Sequence, residues 1–124
     1  MDANLYPADE LHLVAADHYP ACRARIDQRF PGFYCINFIA RGRMHFQVDQ
    51  QAASILHGPC LFWHHPRHHY RYSPADQHWT HYWVALTGSH ARRLVEFGLM
   101  RLCPNGWQQV PQPEPIRSCL VDCL

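Results

Sequence analysis

The chain contains no lysine, and its 11 basic residues are all arginine. Glutamate occurs three times and is missing between residues 11 and 95. Charged residues are only 17% of the 124, with a formal net charge of +1. Low net charge beside 48% hydrophobic content excludes a disordered chain. A pI near 7.7 argues against this domain alone binding nucleic acid, which calls for a basic patch and a pI above about 9. No window approaches the roughly 18 apolar residues of a membrane helix. The amino end, Met1-Asp2-Ala3-Asn4-Leu5-Tyr6-Pro7, has no apolar run and does not read as a signal peptide. The expected location is therefore the cytoplasm, with no membrane partner. Ser–His–Asp spacing, a Gly-rich phosphate loop and paired carboxylates are all missing. Acid–base chemistry would have to rest on Asp or His, and no enzyme is expected.

What is present fits one domain of 14.5 kDa with a real core. Ten prolines and six glycines punctuate it at short intervals, the mark of many short strands. Phe33–Ala40 is rich in aromatic and β-branched residues, with apolar residues on both faces, so it is expected to be covered on both sides. Gly42 follows at a bend or bulge. Arg43–Val48 alternates, with Met44, Phe46 and Val48 on one face. Short strands are expected at Ala53–Leu56, Cys60–Trp63 and His68–Tyr72. Ser73-Pro74-Ala75-Asp76 has type I turn chemistry, and His78–Leu86 is a second strong strand. The spacing then turns helical over His90–Met100, with Ser89 as its N-cap, and again over Glu114–Leu124. Many strands without alternating helices imply a sandwich or barrel. The six cysteines, at 22, 35, 60, 103, 119 and 123, read as reduced and structural.

Three constellations could carry chemistry. Trp79, His81 and Trp83 share a face of the strand His78–Leu86. Two indoles flanking an imidazole would suit a ligand with CH faces and hydroxyls; core filling accounts for them equally. Asn37 and Arg41 share a phase on the preceding strand. An arginine there is costly to bury unless it grips a carboxylate or paired hydroxyls, or else it snorkels into water. Finally, His64, His65, His68 and His69 crowd one loop. A metal site would need ligands converging from different strands, so neither metal nor cofactor is expected.

The block from Tyr34 to Met100 resembles the amino-terminal sensing domain of AraC-type transcription regulators. Four pieces carry the resemblance in order: Ile36-Asn37-Phe38-Ile39-Ala40-Arg41-Gly42, Leu56-His57-Gly58-Pro59-Cys60-Leu61-Phe62-Trp63, Pro66-Arg67-His68-His69-Tyr70, and Trp79-Thr80-His81-Tyr82-Trp83-Val84. The second departs from the family's Pro-Gly-Asp, and the helix His90-Ala91-Arg92-Arg93-Leu94-Val95 lacks the Trp of the arabinose regulator. The resemblance implies a mainly β, cupin-like jelly-roll barrel with one C-terminal helix and a second, truncated one. It further implies an arm over 1–20, a barrel over 21–88 and a dimerising region over 89–124. The implied function is sensing a small molecule, a sugar or sugar acid, for a DNA-binding regulator. That regulator would be a homodimer and would touch DNA only through a separate carboxy-terminal domain not present in this sequence. Arg41 matches the arginine that contacts the sugar. The candidate ligand-binding set is Arg41, His45, His69, Trp79, His81 and Trp83. The alternative is a small metal-dependent cupin enzyme, an isomerase or dioxygenase, using His45, His69 and His81.

Overall fold

The computed structural model describes residues 10–124, so residues 1–9 of the arm expected over 1–20 lie outside the described residues. The described chain is mostly β, with 53% strand and 21% helix. Seven antiparallel strands form one sheet: β1 (His12–Cys22), β2 (Ile26–Arg29), β3 (Tyr34–Val48), β4 (Ser54–His57), β5 (Cys60–His64), β6 (His69–Thr87) and β7 (Trp107–Gln109). After β6 come a turn of helix α1 (Ser89–Arg93), a π-helical segment (Leu94–Leu99) and a last turn α2 (Met100–Leu102). Helix α3 (Pro113–Asp122) closes the described chain.

Two long strands, β3 and β6, pair along most of their length and form the spine. Strands β1 and β2 share the far edge of β6, and β4 and β5 share the far edge of β3. Phe33–Ala40 and Arg43–Val48, expected as separate strands, are one strand because Gly42 lets the backbone kink without breaking the ladder. Its φ is +94°, and a Cβ there would lie 2.8 Å from both the His78 carbonyl oxygen and Trp79 Cα. The expected turn at Ser73–Asp76 does not form. Ser73 and Pro74 pair with His45 and Met44, and the register shift between Gly42 and Met44 leaves residues 75–78 as an irregularity that β6 absorbs within the strand. Asp76 then accepts two hydrogen bonds from the Arg43 guanidinium, at 2.9 and 2.6 Å.

The kink changes which residues point inward. Inside are Ile39 before it and Met44, Phe46 and Val48 after it on β3; on β6 they are Tyr70 and Tyr72, then Trp79. With Leu56, Cys60 and Phe62 they form one core. A second core lies on the other face of the sheet. There Phe38, Leu61, Tyr82, Val84 and Leu86 pack under Ala91, Val110 and Leu120 from the helical end of the chain. The Phe33–Ala40 region is thus covered on both sides, as its composition implied. Gly88, not Ser89, occupies the helix N-cap, because the Ser89 hydroxyl accepts the Glu10 backbone N–H instead. Strand β1 runs across the expected arm boundary at residue 20 and pairs with β6 from His12 to Cys22. All six cysteines are free thiols.

Gly42→Ala is expected to cost about 2–3 kcal/mol, combining left-handed backbone strain with a backbone clash. Gly32→Ala, also at positive φ but with nothing within 4 Å of its Cβ, should cost only about 1 kcal/mol. Urea midpoints of the two variants test the difference.

Candidate functional site

A cavity of about 500 Å³ lies between the spine strands and the β1–β2 connection. Its inner wall is Cys35 and Asn37 from β3, His64 from β5, and Tyr72, His81 and Trp83 from β6. Its outer wall is Tyr19, Cys22, Ile26, Phe30 and Phe33, with Arg23 the single charged residue among those lining it. The volume falls within the range of small-molecule sites, about 300–1,000 Å³.

A buried hydrogen-bond chain orders the inner wall. The Trp79 Nε1–H donates to His81 Nδ1 at 3.0 Å, and an indole nitrogen can only donate. The His81 proton therefore sits on Nε2, which donates to Asn37 Oδ1 at 2.8 Å. This in turn fixes the amide of Asn37: its oxygen faces His81, and its Nδ2 is a donor. Asn37 is 1% exposed, and its Nδ2 has no hydrogen-bond partner among the described residues. Nearby, His64 is 3% exposed and stacks flat on Phe30, with ring centroids 4.0 Å apart. Its Nε2 meets the Tyr72 hydroxyl at 3.3 Å, whereas its Nδ1 also lacks a partner among the described residues. A buried polar group without a partner costs about 1–3 kcal/mol. Both groups belong to residues that line the cavity, so a polar guest that reached them would remove that cost.

The wall carries no charge near neutral pH. Burial pushes both His64 and His81 down to about 3, with His81 adding to the effect on His64. Burial also pushes the Cys35 thiol up to about 12 and raises the Tyr72 phenol. Nucleophilic and acid–base roles are thereby suppressed, and reversible binding is the chemistry this wall is suited to.

A family model described as AraC-like ligand binding domain matches residues 13–124. The chain belongs to this family. Its fold is the cupin-like jelly roll, and its members are ligand-sensing domains of regulators. Among curated proteins, none matches. No helix among the described residues is long and apolar enough to cross a membrane.

In this AraC-like domain the expected site residues separate into three groups. His81 and Trp83 line the cavity. Trp79 is fully buried behind them and acts by orienting His81. Arg41, His45 and His69 do not reach it. The ladder shifts register between Ile39 and Arg41, which breaks the alternation that would have aligned Arg41 with Asn37, and Arg41 is exposed. His45 is exposed beside a separate cleft with Arg25 and Gln47, and His69 lines another beside Arg29 and Arg67 while pairing with Asp27. The three histidines of the enzyme alternative therefore do not converge. The cavity residues outside the expected ligand-binding set are His64, noted from sequence only as part of a histidine-rich loop, and Tyr72, Phe30 and Cys22. A histidine closing the fully buried strand Cys60–His64 was the available signal for the first.

Acid should destabilise this domain through its buried imidazoles. The unfolded chain takes up their protons near pH 6.5, whereas the folded chain resists until about 3. Stability thus falls as pH drops through that window, by about 1.4 kcal/mol per pH unit for each histidine. Urea unfolding between pH 6 and 5 should show the slope, and His64→Phe should remove one histidine's share.

Proposed function

We propose that this chain is the ligand-sensing domain of a DNA-binding transcription regulator that works in the cytoplasm, and that an uncharged small molecule occupies the cavity beneath the β1–β2 connection. The observation that carries this reading is a pair of buried polar groups without a partner among the described residues, Asn37 Nδ2 and His64 Nδ1, both on residues that line a roughly 500 Å³ cavity. Trp83, His81, Phe30 and Phe33 supply flat surface and shape. A sugar acid fits poorly, since a carboxylate on the inner wall would meet no cation and would lose its hydration. DNA contact belongs to a separate domain, and the regulator acts as a homodimer.

The route from ligand to helix is short. His64, the last residue of β5, lines the cavity, and His65, which follows the strand, reaches the helical end. His65 Nδ1 accepts the Arg67 backbone N–H, which leaves its Nε2–H to donate to Glu96 Oε1 at 2.9 Å. Glu96 lies in the π-helical segment and also accepts from Arg92 and Tyr34. A guest that shifts β5 would thus bear on the helices, to the extent that it binds the two states differently.

Thermal-shift screening against neutral sugars, sugar acids and uncharged aromatic alcohols tests the reading. A hit should raise the melting temperature, by mass action. Trp83→Ala should weaken that hit at least tenfold, and Arg41→Ala should leave it unchanged. A hit indifferent to Trp83→Ala would overturn the cavity assignment.

A further inference from the structure

Resting on the sensing reading, we propose that the cavity selects an uncharged, mainly apolar molecule with one carbonyl or hydroxyl edge, and that Asn37 and His64 are its specificity-determining residues. The class follows from counting what the deep wall can offer. Both His81 nitrogens are already engaged, by Trp79 and by Asn37. The Cys35 thiol is directed to Asn37 Oδ1 at 3.7 Å. What remains is the Asn37 Nδ2 donor, His64 Nδ1 and the Tyr72 hydroxyl that shares the other His64 nitrogen.

His64 has two arrangements. If the Tyr72 hydroxyl donates to Nε2, the free Nδ1 carries a proton and seeks an acceptor. If Nε2–H donates to Tyr72, the free Nδ1 is an acceptor and seeks a donor. A ligand hydroxyl satisfies Asn37 and either form of His64, and a carbonyl satisfies Asn37 and the first form. A sugar brings four or five hydroxyls plus a ring oxygen, far more polar atoms than this wall pairs. Each one buried without a partner is penalised. Away from this deep wall, Phe30, Phe33, Ile26, Trp83 and Cys22 offer apolar area for a flat body, and the polar groups of Tyr19 and Arg23 lie on the outer side.

The test uses four probes on the purified chain: 2-naphthol, its methyl isostere 2-methylnaphthalene, the anion 2-naphthoate, and D-glucose. Titration calorimetry should place 2-naphthol at least tenfold tighter than the isostere and the anion, with glucose silent at millimolar concentration. His64→Phe keeps the stack on Phe30 and should cut the preference for 2-naphthol over 2-methylnaphthalene to below threefold. Asn37→Ser, which could disturb the fold through His81, is read only after its melting curve is shown to be cooperative, and should likewise shrink the preference. Equal binding of 2-naphthol and its isostere, or no change in His64→Phe, overturns the inference. Glucose binding tighter than 2-naphthol overturns the ligand class but leaves the sensing reading standing. No binding by these probes or by any member of the screening panel would defeat both.

Discussion

The antiparallel ladder between β3 and β6 is the constraint on which the rest of the molecule depends. Strands β1, β2, β4 and β5 take their places from the outer edges of these two, and β7 adds on to β5. The ladder must bend to close a barrel, and it does so where Gly42 crosses Trp79. A side chain at position 42 would collide with the backbone of β6. Irregularities of this kind re-aim side chains. Here the shift decides which of the alternating residues face inward on either side of the bend.

Trp79 sits at the bend and has two roles. Its fully buried ring anchors the core with Phe46, Phe62 and Tyr72. Its indole N–H begins the chain through His81 to Asn37. Because that donor cannot reverse, one tautomer of His81 and one orientation of Asn37 are selected. A core anchor therefore sets the hydrogen-bonding sense of the cavity wall. Desolvation keeps the same imidazoles neutral, so the wall recognises shape and hydrogen-bond pattern and not charge.

The other face of the sheet carries the second core and meets the helices. Neighbouring residues serve both faces: Cys35 and His64 line the cavity, while Tyr34, beside Cys35 on β3, and His65, directly after β5, hydrogen-bond Glu96 in the π-helical segment. π-helical turns concentrate at functional positions. Cavity and helices are thus joined through residues adjacent in the chain, Tyr34–Cys35 and His64–His65.

Much of the architecture was legible along the chain. The two strong strands, their doubly covered packing, Gly42 as a bend, the reduced cysteines and the helical end all follow from local composition and periodicity, which act over a few residues. Asn37, His81 and Trp83 stood out for the same reason, as polar or aromatic groups in apolar strands. What the tertiary structure alone decided is which way residues face across an irregularity. Arg41 falls outside because the ladder slips after Ile39, Ser73–Asp76 stays in the strand because β3 runs alongside it, and His45 and His69 turn away from His81. Alternation is a local rule with a period of two, and one slipped residue reverses it. The position of the slip is set by a partner strand some forty residues distant, and local spacing carries no record of it.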